Sequence, residues 1–327
     1  PPRSTLFPYT TLFRSARYVG RIPYIYRTAK WACRPSRTYS DCDERWGDSN
    51  HVVGGLSALS GKGLGFSKFP IVIIAAGKGE RAKSITKETP KCLYPLSFEP
   101  NGSLFYLIRQ LDKFHPQKII IVGGYQYDLL SNTLNSKLKA ISPIMTVDAT
   151  PDYEKGPLYS TIAAKKHLHS NKGCWLFPAD TVFQPSIIQE LATVKLNPSC
   201  PTLFYWKSDK KTDTHQHILS ISEHMGQKIV HAIINPSSIN QKVPSKDDAL
   251  NIMMPIAFLS AKFLEYIEKG TNLRCNTVVD ALKFYIEDNY QIEAHDMAWN
   301  DEKAPPFLDL DDADAFHRLN NIKKEIN

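Results

Sequence analysis

The sequence predicts an α/β fold in which a mostly parallel sheet is sandwiched between helices. From Lys68 onward, short apolar runs with the character of strands alternate with stretches of helical periodicity. The runs are continuously apolar, which is typical of parallel strands that are buried on both faces. After about residue 207 the alternation becomes irregular, so we expect a mixed C-terminal part.

The elements follow from the spacing of apolar residues. In the N-terminal half, predicted strands cover residues 70–75, 118–122, 144–147, 174–177 and 202–206. Predicted helices between them cover residues 103–114, 126–137, 159–168 and 186–194, and Ser103 is the expected N-cap of the first. The C-terminal half is expected to contain strands near 218–222 and 228–234, helices near 261–268 and 276–287, a strand at 307–310 and a helix at 312–324.

The first 66 residues differ from the rest of the chain. They hold ten Lys or Arg and four Asp or Glu, whereas the remaining 261 residues hold thirty and twenty-nine. Residues 5–15 (TLFPYTTLFRS) resemble the translation of a common short-read sequencing adapter, and no Met precedes Met145. We therefore expect a fragment or a conceptual translation, with an artefactual or disordered leader at 1–66 and one domain at 67–327.

Composition excludes several classes of partner. The excess positive charge lies in the leader, so the nearly neutral domain predicts no nucleic-acid partner. No apolar run reaches the roughly 18 residues that a membrane-spanning helix needs, which predicts no membrane partner. The six cysteines form no CxxC or CxxH pair, so we expect a cytoplasmic protein without a zinc site.

A glycine-containing loop, AAGKGER at residues 75–81, follows the first predicted strand. Glycines at this place let backbone N–H groups approach phosphate oxygens. One interpretation is an NAD(P)-dependent oxidoreductase, because Gly77, Gly79 and Ala82 match the G-x-G-x-x-[GA] pattern. Two observations count against this interpretation. Thr and Pro residues soon after the loop leave room for only a short helix, and no acidic residue ends the second strand, where a ribose-binding carboxylate is expected.

The longer run AAGKGERAKSITKETPKCL favours a second interpretation. It resembles the signature of the sugar-nucleotide pyrophosphorylase-like nucleotidyltransferases, which is A-A-G-x-G-x-R, a spacer with Thr, and P-K-x-L. The fixed positions are occupied by Ala75, Ala76, Gly77, Gly79, Arg81, Thr89, Pro90, Lys91 and Leu93. The resemblance implies a Rossmann-like fold of the nucleotide-diphospho-sugar transferase type. It also implies transfer of a nucleoside monophosphate from an NTP with release of pyrophosphate.

The chemistry of this transfer explains the signature. Attack at the α-phosphorus builds negative charge on phosphate oxygens and on the departing pyrophosphate. Arg81 can bind two phosphate oxygens at once, and Lys91 can supply a point charge, so these are the candidate catalytic residues. The resemblance assigns nucleotide binding to Ala75, Ala76, Gly77 and Gly79.

Two aspartate-containing segments are candidates for binding Mg²⁺. Asp180 follows the strand CWLF, at the sheet edge that carries the glycine loop, and the matching strand in the resembling family commonly ends in Gly-Asp. Residues 307–311 (FLDLD) resemble the W-x-[DE]-x-D pattern of phosphocholine cytidylyltransferase-like members. The resemblance implies that Asp180 and Asp309 hold the metal, with Asp311 as a substitute. Asp311 or Asp312 can alternatively cap the last helix.

Residues 152–160 (DYEKGPLYS) resemble the N-x-x-[WY]-x-x-x-N-x-x-S-L segment of related cytidylyltransferases. Tyr153, Gly156 and Ser160 match this pattern, whereas the asparagines do not. The resemblance implies that Gly156 and Ser160 bind the nucleotide and that Tyr153 and Tyr159 contact the acceptor.

The acceptor is expected to be small and phosphorylated. Tyr153, Tyr159, Trp206 and Trp299 either form an aromatic wall for a cationic head group or belong to the core. Lys207 either binds the acceptor phosphate or is solvated.

The E-K-P motif of hexose-1-phosphate enzymes is absent, which favours phosphocholine or a polyol phosphate over a sugar 1-phosphate. The resemblance to cytidylyltransferases implies CTP in preference to other NTPs. Related enzymes commonly make precursors of surface polysaccharides or lipids. A catalytically inactive nucleotide-binding module remains a further alternative.

Overall fold

The computed structural model describes residues 65–169, 172–208, 216–235, 249–269, 275–299 and 305–326, which all lie in one unit, Val53–Asn327. Most of the predicted leader, residues 1–64, lies outside these ranges. Gly65 and Phe66 are part of the folded domain. The Phe66 ring is buried, 5.0 Å from the Trp175 ring, and the Gly65 N–H donates to the Ala192 carbonyl. The domain therefore begins at or before Gly65, upstream of the predicted boundary.

Strands and helices alternate as the sequence predicts. Within the described ranges the strands are β1 Ile71–Ile74, β2 Ile119–Gly123, β3 Ile144–Asp148, β4 Cys174–Pro178, β5 Thr181–Phe183, β6 Thr202–Ser208, β7 Ile218–His224, β8 Gln227–Ile234, β9 Leu250–Leu259, β10 Glu293–Asp296 and β11 Phe307–Asp309. The helices are α1 Lys83–Thr86, α2 Ser103–Asp112, α3 Tyr127–Lys137, α4 Pro157–Lys165, α5 Pro185–Thr193, α6 Ala261–Lys269, α7 Val278–Glu287 and α8 Ala313–Ile326. None of the helices described in these ranges is long and apolar enough to cross a membrane.

Nine of the described strands form one sheet, in the order β3-β2-β1-β4-β9-β6-β10-β8-β7. The strands β3, β2, β1 and β4 are parallel neighbours, and β6 is parallel to β10. The remaining pairs are antiparallel, and β7 also pairs with β9. A two-stranded sheet of β5 and β11 lies apart from it. This arrangement confirms the predicted fold class, including its mixed C-terminal part.

The long strand β9, which separates β4 from β6, is missing from the sequence prediction. Its sequence LNIMMPIAFL contains Pro255, and a proline cannot donate a hydrogen bond to a neighbouring strand. The register between β6 and β9 shifts between the pair Leu203–Ala257 and the pair Tyr205–Met253. Pro255 lies in this irregular stretch, where the regular ladder is interrupted and a proline is tolerated. The short strands β5 and β10 are also absent from the prediction.

The side chains of β1 alternate between two cores. Ile71 and Ile73 pack with α2 and α5 on one face, whereas Val72 and Ile74 pack with α4, α6 and α7 on the other. A third, smaller cluster joins the segment after the glycine loop to β11 and α8. Its buried members are Ala82, Leu96, Leu310, Phe316 and Leu319. This cluster brings Asp309 and Asp311 close to the signature segment.

The predicted capping role of Ser103 is wrong. Gly102 occupies the N-cap position of α2, and the Ser103 hydroxyl donates instead to the Ala179 carbonyl at 2.7 Å. Ser103 is fully buried, and its bond holds the turn between β4 and β5 against the start of α2. That turn carries Asp180.

Candidate active site

The glycine loop leaves the end of β1 at the centre of the parallel part of the sheet. The Ala75 N–H donates to the Val122 carbonyl at 2.8 Å, and the Ala76 carbonyl accepts from the Tyr125 N–H at 3.1 Å. Beyond these bonds the loop is exposed, and a methyl group added at Gly77 would meet no atom within 4 Å. The loop therefore borders open space at the edge where ligands bind in such sheets.

Gly79 is required by the conformation of this loop. Its φ of 63° is left-handed, and an added Cβ would lie 3.1 Å from Lys91 Cβ. We expect Gly79→Ala to destabilise the domain by about 1 kcal/mol, through backbone strain and pressure on Lys91. Thermal unfolding should show a melting temperature lowered by roughly 2–4 °C.

The matched control for this substitution is Gly77→Ala, since Gly77 has neither a positive φ nor a close neighbour. Its melting temperature should equal that of the wild type. Equal melting temperatures for both variants would contradict the conformational role of Gly79.

The dinucleotide interpretation of Gly77, Gly79 and Ala82 finds no support in the elements that follow. A single 3₁₀ turn, Glu80–Ala82, leads into α1, which has only four residues. The dinucleotide fingerprint needs the N-terminus of a full helix beneath the pyrophosphate. The end of β2 also carries Gly123 and Gly124 where a ribose-binding carboxylate would stand.

Four charged side chains connect the signature segment to the predicted metal ligands. Lys91 Nζ lies 2.6 Å from Asp180 Oδ2 and 3.1 Å from Asp311 Oδ1. Arg81 Nη2 lies 3.0 Å from Asp311 Oδ2. The predicted residues Arg81, Lys91, Asp180 and Asp311 are therefore joined in one group of ion pairs. Asp311 contacts the two cations, although the sequence points to it as a substitute metal ligand.

The environment of Lys91 keeps its ammonium group charged. Only 11% of its side chain is exposed. Burial alone would lower the pKa of Lys91, but the charges and hydrogen bonds of Asp180 and Asp311 outweigh burial and raise this pKa above its ordinary value. A charged lysine is thus held in a partly water-excluded place, where its interaction with an anion is stronger than in bulk water.

Asp309 lies on β11, directly opposite Thr181 of β5. The Thr181 hydroxyl donates to Asp309 Oδ1. Burial of the carboxyl raises the pKa of Asp309 to about 6, the bond from Thr181 opposes this, and the charges of Asp180 and Asp311 add to it. In the described part of the chain, no three Asp, Glu, His or Cys side chains are gathered as a ready metal site.

The raised pKa of Asp309 predicts a pH dependence of stability. The pKa is higher in the folded chain than its ordinary value of 3.8, so this group stabilises the folded state below about pH 4. This stabilising contribution is lost as the pH rises through about 6, where Asp309 ionises. Asparagine does not ionise, so Asp309→Asn should keep its stability over this pH range. Urea unfolding should show Asp309→Asn gaining up to roughly 3 kcal/mol over the wild type between pH 4 and pH 7. A pH-independent difference would contradict the assigned environment.

The segment 152–160 contacts the glycine loop and the end of β2. Lys78 Nζ lies 2.7 Å from Glu154 Oε1, and Tyr153 packs on Gly124. Gly156 has a φ of 124°, and any Cβ there would overlap the Asn276 carbonyl oxygen. The predicted nucleotide-binding residue Gly156 therefore fixes the approach of this segment to α7.

Two predicted residues of this segment lie in α4. The Ser160 hydroxyl is buried and has no hydrogen-bond partner among the described residues. The ring of Tyr159 is partly buried and lies 5.3 Å from Lys155 Nζ.

The structure does not gather the predicted acceptor residues into one group. Tyr153 and Tyr159 pack with the α4, α6 and α7 face of the sheet, whereas Trp206 and Trp299 pack with the opposite core. They form no common aromatic wall, which corrects that hypothesis. Lys207 is the second-to-last residue of β6, four strand positions from β2 in the sheet order, or roughly 19 Å at the usual strand spacing. Its ammonium lies 3.9 Å from Asp296.

Several contacts that shape the site are not predicted from the sequence. Thr181 bonds Asp309, Ser103 holds the Asp180 turn, and Asn276 packs on Gly156. All three act through contacts between elements that are distant in sequence. The one available signal is the position of Thr181 directly after Asp180.

Comparison with known sequences agrees with this geometry. Residues 71–271, more than half of the chain, match the MobA-like NTP transferase domain. The chain belongs to this family of nucleotidyltransferases. A segment of 64 residues is 38% identical to CTP:phosphoglutamine cytidylyltransferase of Campylobacter jejuni, which is 20% of this chain and 24% of that protein.

Solved structures share the fold at low sequence identity. The inositol-1-phosphate CTP transferase from T. maritima has a TM-score of 0.59 at 16% identity, covering 80% of this chain and 98% of that one. The CTP:phosphocholine cytidylyltransferase from Streptococcus pneumoniae has a TM-score of 0.54 at 17% identity, covering 78% and 99%. A UDP-glucose pyrophosphorylase complexed with UDP-glucose has a TM-score of 0.59 at 16% identity, covering 79% and 99%. The fold is therefore of the predicted nucleotide-diphospho-sugar transferase type.

Proposed function

We propose that this chain transfers a nucleoside monophosphate from an NTP to a small phosphorylated acceptor and releases pyrophosphate, in a reaction that requires Mg²⁺. The main support is that ion pairs join Arg81 and Lys91 to Asp180 and Asp311 beside the glycine loop. The family of the chain supports the class of reaction.

The nucleotide phosphates would lie along the glycine loop. The open space at Gly77 would admit phosphate oxygens to the backbone, and Arg81 in the loop and Lys91 beside Gly79 would supply positive charge to them. During transfer, negative charge grows on the α-phosphate and on the leaving pyrophosphate. Lys91 is largely buried and paired with Asp180, so it can stabilise that charge without a large reorganisation.

The residues present fit a magnesium ion that arrives with the nucleotide. Mg²⁺ is usually bound by one or two carboxylates, with substrate phosphates and waters completing its shell. Asp180 already contacts a cationic group, the Lys91 ammonium, and Asp309 is affected by the charge of Asp180. Asp180 and Asp309 would hold the ion, which supplies positive charge to the reacting phosphates when bound.

We further propose CTP as the nucleotide. The Campylobacter jejuni relative and two of the structural neighbours are named as CTP-dependent transferases, while a third neighbour acts with UDP-glucose. The matching proteins are named for phosphoglutamine, inositol 1-phosphate and phosphocholine, which supports a small phosphorylated acceptor.

The acceptor would enter between the nucleotide and the end of β6. Lys207 is 60% exposed there and can reach an anionic group.

The catalytic domain would begin near residue 65 and include the remainder of the chain. The free cysteines Cys92, Cys174, Cys200 and Cys275 support a reducing, cytoplasmic setting.

A pyrophosphate-release screen tests this function. The four NTPs are each combined with phosphocholine, a polyol phosphate, phosphoglutamine and a sugar 1-phosphate, with Mg²⁺ or with EDTA. We expect release only when NTP, acceptor and Mg²⁺ are all present, and the fastest release with CTP. Nucleotide binding without any release would identify an inactive module, and hydride transfer with NAD(P) in an absorbance assay would identify an oxidoreductase.

A further inference from the structure

We propose that Asp311 is an internal competitor for the nucleotide phosphates: it holds Arg81 and Lys91 in the nucleotide-free protein and gives them up when a triphosphate binds. This inference rests on the proposed function. It gives Asp311 a role that differs from metal binding.

The geometry of Asp311 supports this role. One carboxylate oxygen lies 3.1 Å from Lys91 Nζ, and the other lies 3.0 Å from Arg81 Nη2. A carboxylate that bridges two cations uses the same paired-oxygen geometry as a phosphate group in such a site. Asp311 therefore contacts the same two cations that the phosphates of a bound nucleotide would contact.

The backbone presents Asp311 at a fixed place. On one side the buried Leu310 donates its N–H to the Asp180 carbonyl at 2.9 Å. On the other side Asp312 accepts from the Ala315 N–H at 2.9 Å, at the start of α8. The Asp311 side chain itself is 39% exposed, so it can turn away from the cations into solvent.

The exchange of partners has a consequence for anion selectivity. With Asp180 and Asp311 in place, Lys91 and Arg81 are neutralised, so a free anion must break existing ion pairs before it binds. The pair of Arg81 with Asp311 is exposed and weak, whereas Lys91 is largely buried, so the main cost lies at Lys91. A metal–nucleotide complex can offer phosphate oxygens to the cations and a metal ion to the carboxylates. Metal-free pyrophosphate can offer only oxygens to the cations, so the released carboxylates gain no new partner.

The test measures the binding of metal-free pyrophosphate by isothermal titration calorimetry in EDTA. We expect Asp311→Asn to bind pyrophosphate at least about tenfold more tightly than the wild type, because one competing charge within hydrogen-bonding distance is removed. Asp314→Asn is the matched control, since Asp314 lies in the first turn of α8 and forms none of the ion pairs found among the described residues. The control should bind pyrophosphate like the wild type.

Two further variants extend this test. Asp311→Ser serves as a second variant if Asp311→Asn does not fold, as judged by thermal unfolding. In an Arg81→Gln background the gain from Asp311→Asn should shrink, because one of its two partners is already lost.

Unchanged pyrophosphate affinity in folded Asp311 variants would overturn the inference, and so would weaker Mg²⁺ binding as their only effect. Because the assay uses no metal and no acceptor, it is independent of turnover. A wild type without transferase activity would instead refute the proposed function.

Discussion

Asp180→Asn should lower turnover at least about a thousandfold, the scale expected when a group that stabilises transition-state charge is lost. Asp180 ends the turn after β4 and contacts Lys91 at 2.6 Å. The amide cannot bind Mg²⁺ with the strength of a carboxylate, and it no longer balances the charge of Lys91. The measurement is the rate of pyrophosphate release with saturating CTP, acceptor and Mg²⁺.

The fold should survive this substitution, because Lys91 keeps its contact with Asp311 and the Ser103 bond to the turn is untouched. Asp148→Asn is a suitable control. Asp148 ends β3 at the same sheet edge, but its carboxylate accepts only from the nearby Thr150 N–H among the contacts described. We expect the control to retain most activity. Wild-type turnover in folded Asp180→Asn would refute the metal role of Asp180.

Lys91→Ala is the second substitution with a large expected effect, a loss of turnover of roughly 10²–10³-fold. It removes the ion-pair partner of Asp180 and leaves Asp311 paired only with the exposed Arg81. Stability without nucleotide should fall by about 1–3 kcal/mol, since one partner of a largely buried ion pair is lost. Raising the Mg²⁺ concentration should restore part of the stability, because the metal supplies positive charge to the carboxylates.

The control for this substitution is Lys87→Ala, which removes an exposed lysine of the same signature segment. Its activity should stay close to that of the wild type. Turnover and melting temperature are measured together for both variants. Equal turnover in the two variants would show that Lys91 has no electrostatic role in the reaction.

The parallel half of the fold could be predicted because its strands are short, continuously apolar and separated by clear helical patterns. Each predicted strand from 70–75 to 202–206 corresponds to a strand in the sheet. The C-terminal half was less predictable, because Pro255 makes the sequence of the central strand β9 resemble a loop. The proline is accommodated where the register between β6 and β9 shifts, and this shift is not visible in the sequence. Pairing order also depends on contacts between distant segments, which periodicity does not encode.

The two cations proposed to bind phosphate could be predicted as neighbours because they lie in one contiguous signature. Arg81 and Lys91 are ten positions apart in sequence and meet at Asp311. The partner of each cation could not be predicted, since Asp311 reaches them only through the packing of α8 and β11 on the loop.

The acceptor side was the least predictable part of the site. Its candidate residues are scattered aromatic and basic side chains without a shared motif. Trp206 illustrates the difficulty, because its ring packs on Phe307 in the core and not with Tyr153. Lys207 differs, since it is exposed at a strand end and remains a proposed contact.

The most direct test is a crystal structure with Mg²⁺ and a non-hydrolysable CTP analogue. We expect the triphosphate to lie along Gly77 and Gly79, with Lys91 and Arg81 on its oxygens and the metal between Asp180 and Asp309. Asp311 should then have released both cations. A nucleotide bound elsewhere, or a metal that contacts neither Asp180 nor Asp309, would contradict the proposed function.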